Sequence, residues 1–383
     1  MNTPRLQRVL ICRSNPVVPD PRVEKLAEAL CQAGYEVLVL AWDRTGQLPR
    51  EEERSGYRIA RFSHTSPYGL GLKNIFNLLC WQAFLLGRLI GEWRGSTLVH
   101  ACDFDTLLPC LLSKAFGGKR IIYDIFDLYA DSRRNIPSLI RKLLRMLELK
   151  ALEWADAVIL ADEARREQIA GATPRRVITV YNSPPDVLGT LRRNGPPPRL
   201  AELHLVYVGL LQVERGLLKI IDVLSRHPEW HLDLAGFGGD EERILGLARS
   251  LSNVTWHGRV PYKRALELSY AADVLFATYD PAIPNHRYSS PNKVFEAMML
   301  AKPVVVSRGT GIERLVEEVN CGLVVPYGDV AALEAALARL AKDPALRQRL
   351  GENGRRAYEE KYSWDIMRNQ LLELYSKLAV KSN

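Results

Sequence analysis

The chain lacks closely paired cysteines, a dinucleotide-binding glycine motif and any long apolar run. Zinc sites use closely spaced cysteine pairs, and disulfide frameworks are typical of small secreted chains. Because no C-x-x-C spacing occurs and most cysteines lie in apolar patterns, we expect free, mostly buried thiols in a reducing compartment. The six cysteines are Cys12, Cys31, Cys80, Cys102, Cys110 and Cys321.

The apolar runs are too short for export or for crossing a membrane. The apolar run that precedes Arg13 has only four residues, 9–12, whereas a signal peptide needs an apolar run of about 7–15 residues. The most apolar window, residues 75–90, is interrupted by polar residues such as Asn77 and Arg88, and a membrane helix needs about 20 apolar residues. We therefore expect a cytoplasmic protein, with peripheral attachment to the inner face of the membrane as an alternative.

A net charge of +8 over 383 residues makes an anionic partner plausible. The candidates are membrane lipid, a lipid-linked pyrophosphate and nucleic acid, and a solvated basic face fits equally well. A nucleic-acid-binding protein needs a continuous basic stripe with interleaved aromatics; clustering on one predicted helix favours a membrane surface instead. The cluster within residues 133–150 contains Arg133, Arg134, Arg141, Lys142, Arg145 and Lys150.

Short apolar segments alternate with amphipathic segments through both halves of the chain, which predicts parallel strands separated by helices. A segment rich in proline and glycine divides the halves. We predict an α/β protein with two Rossmann-like, doubly wound domains facing a central cleft. The predicted N-terminal domain is 1–185, the linker 186–200, the C-terminal domain 201–361, and a last helix in 362–383 packs back on the N-terminal domain.

In the first half, the loop after the first strand lacks G-x-G-x-x-G, which argues against NAD or FAD there. Asn15 and Arg22 in this loop are candidates to hold an acceptor substrate. The alternative is an ordinary helix start, with Asp20 as the cap and Pro21 as the first helical residue.

Two carboxylates follow later predicted strands of the same half. Asp103 follows the strand that ends near His100, and Asp127 follows the next strand. A carboxylate in a partly desolvated cleft can orient a sugar hydroxyl or act as a base. We treat both as candidates, whereas His100 at a strand end is more typical of a packed side chain.

In the second half, glycine-containing turns follow three successive predicted strands. Gly209 ends one strand, and Arg215 just beyond it could pair with a diphosphate. Each turn alone is a weak signal, because tight strand-to-helix turns need glycine anyway. The other candidates in these turns are Gly236, Phe237, Gly238, Arg259 and Val260.

The stretch 290–307 is the most informative in the chain. Ser290 is predicted as a helix N-cap, Pro291 as the first helical residue, and Glu296 lies within that helix. A helix that begins sharply presents free N–H groups to a phosphate, and a carboxylate one turn on can accept hydrogen bonds from a sugar diol. Asn292 and Lys293 lie at the same helix start, so phosphate plus diol suggests a nucleotide. An ordinary capped helix is the alternative.

Together these segments resemble the retaining GT-B glycosyltransferases of family 4, the glycosyl transferase group 1. The resemblance rests on V-Y-V-G (206–209), R-G (215–216), A-G-x-G (235–238), S-P-N-K-V-F-E-A-M (290–298) and K-P-V-V-V-S (302–307). In the first half, the resemblance rests on V-H-A-x-D-x-x-T (99–106) and on D-x-H-[ED] at 124–127, where this chain reads DIFD.

The resemblance implies sugar transfer with retention and without a metal or other cofactor, from a UDP-, GDP- or dTDP-linked donor to a glycan or lipid-linked acceptor. It assigns Glu296 to the ribose, and Arg215 with Lys293 to the diphosphate. Two positions depart from the family pattern: Tyr288 replaces a glutamate, and Phe126 replaces a histidine beside the sugar. A sugar-nucleotide epimerase of the same fold and a non-catalytic sugar-nucleotide binder remain alternatives.

Overall fold

The computed structural model describes residues 7–66, 74–92, 97–115, 119–132, 136–193 and 202–379. The chain divides into two units, each built on its own sheet. The first unit comprises Met1–Tyr181 and Arg368–Asn383, and the second comprises Asn182–Met367. The predicted α/β class with two parallel-sheet halves is confirmed.

The sheet of the first unit is parallel except for one edge pair, β3 with β4, which is antiparallel. Among the described residues its strands are β1 (Arg8–Arg13), β2 (Glu36–Asp43), β3 (Glu51–Arg54), β4 (Tyr57–Ser63), β5 (Thr97–Cys102), β6 (Arg120–Ile125), β7 (Ala157–Leu160) and β8 (Val177–Thr179). Their order across the sheet is β3-β4-β2-β1-β5-β6-β7-β8. The strand order therefore reverses at the neighbouring strands β1 and β5: β2 to β4 lie on one side of this point, and β6 to β8 lie on the other.

Helices connect these strands and cover the sheet. They are α1 (Pro21–Gln32), α2 (Ile75–Gly91), α3 (Phe104–Lys114), α4 (Tyr129–Ser132), α5 (Ser138–Trp154) and α6 (Arg165–Gln168). Asp20 caps α1 by accepting from the Val23 amide, and Pro21 is its first residue, so the helix-start interpretation of this loop is confirmed. The apolar window 75–90 lies within α2, and a helix extending over 72–94, as its pattern predicts, would include residues 72–73 and 93–94, which lie outside the described residues.

The sheet of the second unit has the order β11-β10-β9-β12-β13-β14. Its parallel strands are β9 (Leu203–Leu210), β10 (Trp230–Phe237), β11 (Val254–Trp256), β12 (Val274–Ala277), β13 (Val304–Ser307) and β14 (Gly322–Val325). A 3-10 turn over Val213–Arg215 follows β9, and a π-helical turn over Tyr358–Tyr362 follows α15. The helices are α7 (Leu188–Arg193), α8 (Leu217–Arg226), α9 (Glu241–Ala248), α10 (Tyr262–Ala271), α11 (Pro284–Arg287), α12 (Asn292–Met299), α13 (Ile312–Val319), α14 (Val330–Lys342), α15 (Pro344–Ala357) and α16 (Trp364–Ala379).

The segment predicted as a structureless linker, 186–200, is partly helical. Residues Leu188 and Leu191 of α7 are buried, and Asp186 forms an ion pair with Arg355 at 2.5 Å. The two leucines lie one helical turn apart, and the prolines on both sides obscure this helical spacing in the sequence. Residues 194–200 lie outside the described part of the chain.

Most of α16, from Arg368 onward, belongs to the first unit. Its Tyr375 hydroxyl lies 2.6 Å from Nδ1 of His100, and Nε2 of His100 lies 3.3 Å from Asp124. His100 is fully buried, so its interpretation as a packed residue is confirmed. The cysteines are all free, but Cys31 and Cys80 are only partly buried, because each lies toward the outer side of its helix. In the described residues no helix is long and apolar enough to cross a membrane.

Gly351 holds α15 close to the end of α12. A Cβ on Gly351 would overlap the carbonyl oxygen of Ala301, whereas a Cβ on Gly246, in α9, would meet nothing within 4 Å. The backbone contact at Gly351 therefore fixes the helix that carries the predicted donor residues.

Gly351→Ala should lower the free energy of unfolding of the second unit by about 1–3 kcal/mol, because the added methyl forces the two segments apart. Gly246→Ala is the matched control and should raise it by about 0.5–1 kcal/mol through helix propensity. Urea denaturation followed by circular dichroism measures both. Equal effects of the two substitutions would contradict the close contact.

Candidate functional site

The carboxyl ends of β9, β10 and β12 form one edge of the second sheet. The strand order reverses between β9 and β12, and ligands of open α/β sheets bind at such reversal points. Gly236 pairs with Gly209 across β10 and β9, and at φ +143° its Cβ would overlap the Gly209 carbonyl. Only glycine allows these two backbones to approach this closely, which keeps the edge open.

Two cationic side chains converge on this edge. Lys293 of α12 is only 8% exposed, and a Cβ on Gly209 would lie 2.8 Å from its Nζ. Arg215 ends the 3-10 turn after β9 and donates to the Gln212 side chain at 2.9 Å. Among the described residues neither cation forms an ion pair with a carboxylate, so both charges remain available to an anion.

Tyrosines pack beneath both cations. Lys293 Nζ lies 4.3 Å from the ring centroid of Tyr207, and Arg215 donates to the Tyr279 hydroxyl at 3.0 Å. Burial alone would raise the pKa of Tyr279, but the charges of Arg215 and Lys293 lower it below its ordinary value. The sequence interpretation missed both tyrosines, although Tyr207 lies in the V-Y-V-G segment and Tyr279 just beyond a strand end.

The start of α12 differs from its prediction. Pro291 occupies the cap position with extended backbone (φ −67°, ψ 124°), and the helix begins at Asn292. Ser290 is therefore not the cap. Its hydroxyl is buried without a hydrogen-bond partner among the described residues, and its carbonyl accepts from Asn182 at 3.1 Å.

Glu296 lies one turn into α12 and accepts a hydrogen bond from the Tyr262 hydroxyl at 3.0 Å. Asn292 is exposed at the helix start. Tyr288 ends the short helix α11, and its ring lies 6.0 Å from the guanidinium of Arg287. The helix α12 thus places a carboxylate and a buried cation about one turn apart.

The two turns after β10 and β11 lie side by side. The Phe237 ring is 45% exposed, and the Arg259 guanidinium lies 4.5 Å from its centroid. The Gly236 amide donates to the Gly258 carbonyl at 2.9 Å, which joins the turns through their backbones. Gly238 continues the first turn against Leu211, and Val260 is partly buried.

A cluster of histidines lies further back on the same sheet. Ligand atoms of His204, His231 and Asp233 fall within 4.8 Å of one another, as a metal site would require. Asp233 also accepts from His257 at 2.7 Å and from His204 at 2.8 Å. Although burial opposes it, these histidine hydrogen bonds lower the pKa of the Asp233 carboxyl well below its ordinary value. The histidines of the cluster thus compensate the negative charge of the Asp233 carboxylate.

In the first unit, polar side chains gather where the strand order reverses, at the ends of β1 and β5. Arg13 pairs with Asp103 and, at 2.9 Å, with Asp20. Asp103 lies at φ +65°, a conformation that costs a non-glycine residue about 1–3 kcal/mol. Its carboxylate accepts from the amides of Phe126 at 3.0 Å and Asp127 at 3.3 Å. Arg13 was missed because a lone arginine at a strand end carries no distinct signal.

Asp127 differs from Asp103 in its surroundings. Its side chain is 48% exposed and pairs at 3.0 Å with the buried Arg165. The Asp127 amide therefore links the two candidate carboxylates. The Asp103 side chain is 20% exposed, whereas that of Asp127 is about half exposed.

The predicted acceptor residues are engaged within the first unit. Asn15 donates to Asp20 at 2.8 Å, and Arg22 forms two hydrogen bonds to Asp124, at 2.8 and 3.0 Å. The Phe126 ring lies 4.1 Å from the Arg13 guanidinium and 5.1 Å from that of Arg22. The side chains of Asn15 and Arg22 are thus already hydrogen-bonded to the carboxylates of Asp20 and Asp124.

Burial raises the pKa of the Asp103 carboxyl to about 6, although Arg13 favours its ionised form. Between about pH 4 and pH 6, the Asp103 carboxyl of the folded protein should thus keep its proton. The same carboxyl in the unfolded chain, whose pKa is near 3.8, releases it.

Asp103→Asn removes this titration. Wild-type stability should fall as pH rises from about 4 to about 6, because the unfolded state ionises first, so the variant should gain relative stability by at most roughly 3 kcal/mol. Urea denaturation across this range measures the difference. Asp127→Asn, at the exposed carboxylate, is the matched control, and a pH-independent difference for Asp103→Asn would refute the assignment.

Comparison with known proteins covers both halves of the chain. Residues 22–183 match the family described as Glycosyltransferase Family 4, and residues 193–357 match Glycosyl transferases group 1. Glycogen synthase from Mycobacterium tuberculosis is 24% identical over 383 residues, covering 92% of this chain and 89% of the relative.

Solved structures share the fold. Sucrose-phosphate synthase from Thermosynechococcus elongatus has a TM-score of 0.80 at 20% identity, covering 99% of this chain and 100% of its own. Anabaena HepE in complex with UDP-glucose has a TM-score of 0.71 at 15% identity, covering 97% and 99%. With both halves matched and the fold shared, the chain belongs to glycosyltransferase family 4 and is a glycosyltransferase of the GT-B fold.

Proposed function

We propose that this enzyme transfers a sugar from a UDP-, GDP- or dTDP-linked donor to a glycan or lipid-linked acceptor, with retention and without a metal or other cofactor. The observation that carries the proposal is the pair of cations, Arg215 and Lys293, at the glycine-lined edge of the second sheet. A buried cation without a carboxylate partner is costly unless an anion binds beside it. A diphosphate fits this requirement.

The donor is proposed to bind along the edge from Gly209 to α12. Lys293 and Arg215 hold the diphosphate, and the Glu296 carboxylate accepts hydrogen bonds from the ribose hydroxyls. The turns at Gly236–Gly238 and at Arg259 and Val260 border the same edge, where backbone groups can approach the donor closely. Ser290 and Asn292 lie at the start of α12, whose N-terminal amides favour negative charge.

The role proposed for these cations in the chemistry is electrostatic. Negative charge develops on the leaving phosphate as the glycosidic bond to it breaks, and fixed positive groups in a dry site stabilise that charge. Arg215 and Lys293 supply the charge that a divalent ion supplies in metal-dependent enzymes. This supports transfer without a bound metal.

Asp103 and Asp127 are proposed to orient the acceptor. The Asp103 carboxyl has its pKa raised to about 6 by burial, which suits a group that exchanges a proton near neutral pH. Phe126 lies beside them and offers an apolar contact. Tyr288 takes the place of a family glutamate, so a phenol replaces a carboxylate at that end of the donor.

Lys293→Met and Arg215→Gln should each weaken binding of the preferred nucleoside diphosphate by roughly 10- to 150-fold, because a charge-assisted hydrogen bond contributes about 1.5–3 kcal/mol. Isothermal titration with UDP, GDP and dTDP measures this. Arg264→Gln is the matched control, since Arg264 is a surface arginine paired with Glu267. Undiminished affinity in both site variants would refute the anion site.

The stereochemistry of the first-formed product tests the reaction itself. Nuclear magnetic resonance of early donor turnover, with water or a glycan as acceptor, should show the same anomeric configuration as in the donor, and turnover should continue in EDTA. The matched control is Lys293→Met, which should bind donor poorly and turn over slowly. An inverted anomer would overturn retention, and activity lost in EDTA but restored by magnesium would overturn metal independence.

A further inference from the structure

Three neighbouring helices of the first unit expose large apolar side chains to solvent. On most soluble proteins such side chains are scattered, and contiguous apolar patches are limited to a few hundred Å². Here they concentrate on α2, α3 and α5, which we call the apolar face. The exposed residues are Ile75, Phe76, Leu79, Ile90, Leu108, Leu112, Leu139, Leu143, Met146, Leu147 and Trp154.

On α5 the exposed apolar residues follow helical spacing. Leu139, Leu143, Met146 and Leu147 recur at positions i, i+4, i+7 and i+8, which places them on one side of the helix. Leu139 is 78% exposed. The opposite side is buried against the sheet, where Glu148 accepts from the Tyr123 hydroxyl at 2.7 Å. The helix is thus apolar on its buried side and again on its outer side.

The outer sides of α2 and α3 repeat this pattern. Phe76 of α2 is 69% exposed, and Leu79 and Ile90 share its outer side. Leu108 and Leu112 of α3 are exposed at positions i and i+4. Neither outer side carries a carboxylate, because Asp105, the acidic residue of α3, is buried.

The three helices lie on the same side of the sheet. Their buried residues Trp81, Leu107 and Leu152 belong to one core cluster, which also contains Trp42 and Tyr123 of the strands. Because the inner sides meet one core, the outer sides point the same way and form one surface, the apolar face.

On the three helices themselves, exposed and partly exposed cations outnumber carboxylates. Three of these cations pair with carboxylates from outside the three helices: Arg88 with Glu92, Lys114 with Asp156 and Arg145 with Asp131. Lys142 and Lys150 are exposed on α5. The partly exposed carboxylate on the three helices is Glu153, which already pairs with Lys150. The other partly exposed cations of these helices are Arg88, Lys114, Arg141 and Arg145. Arg133 and Arg134, which belong to the basic cluster in the sequence, lie outside the described residues.

We propose that the apolar face docks on an anionic lipid bilayer, with α2, α3 and α5 lying flat in the interface. Apolar side chains flanked by lysine and arginine are the signature of helices that bind in this way. A face that bound a second protein through its core would bury apolar area without needing exposed lysines such as Lys142 and Lys150 beside its leucines. This proposal rests on the proposed function, because it narrows the acceptor of the sugar transfer to the lipid-linked class.

The position of α3 connects the apolar face to the acceptor residues. Asp103 precedes the first residue of α3, and Leu108 lies five residues further on, roughly 8 Å along the helix axis. A head group carried by a docked bilayer would therefore start close to Asp103 and Asp127.

Vesicle co-sedimentation with the full-length protein tests the proposal. Wild type should bind vesicles of mixed zwitterionic and anionic lipid, and bind zwitterionic vesicles at least tenfold more weakly. Leu143→Ser with Met146→Ser should reduce binding to the anionic vesicles at least tenfold, and Lys142→Ala with Lys150→Ala should do the same and flatten the salt dependence. Leu247→Ser, at an exposed leucine of α9, is the matched control and should bind like wild type.

Nucleoside diphosphate affinity, measured on the same samples, should be unchanged in all these variants, so a failure of docking is distinguishable from a failure of the donor site. Absence of vesicle binding, or binding that the α5 substitutions leave unaltered, would overturn the proposal. A concentration-dependent dimer in sedimentation velocity that Leu143→Ser with Met146→Ser abolishes would instead assign the apolar face to a second copy of the chain.

Discussion

The positive charge of Lys293, held under the glycine edge of the second sheet, is the constraint on which the donor half depends. Desolvating an ammonium costs several kcal/mol unless negative charge or polar groups surround it. Here the face of Tyr207 and the side chain of Tyr279 supply part of that compensation, and Gly209 leaves the side of Lys293 Nζ without a covering side chain. In the proposed function, a bound anion supplies the rest of the compensation.

The first unit places a carboxyl group, rather than a cation, at the point where the strand order of its own sheet reverses. Just after β5 it holds a partly buried carboxyl group, that of Asp103, beside Arg13 and two backbone amides. Burial still keeps the carboxyl pKa near 6, so the group can exchange a proton at physiological pH. One sheet therefore presents positive charge where its strand order reverses, and the other presents a carboxyl group. The proposed function assigns the first to a diphosphate and the second to an acceptor hydroxyl.

Much of this could be predicted from sequence, because alternating apolar segments specify parallel strands, and glycine at a strand end specifies close backbone approach. Gly209 and Gly236 were found in this way. The cap at α12 was predicted at Ser290 because serine followed by proline is typical of a helix start, yet the backbone of Pro291 is extended and takes the cap position itself. Arg13 and Tyr279 were missed because their importance comes from neighbours distant in sequence.

A structure of the protein with its nucleoside diphosphate sugar bound tests the central claim most directly. We expect the two phosphates within hydrogen-bonding distance of Lys293 Nζ and the Arg215 guanidinium, and the ribose hydroxyls on the Glu296 carboxylate. A diphosphate bound elsewhere, with both cations still facing only Tyr207 and Tyr279, would contradict the account.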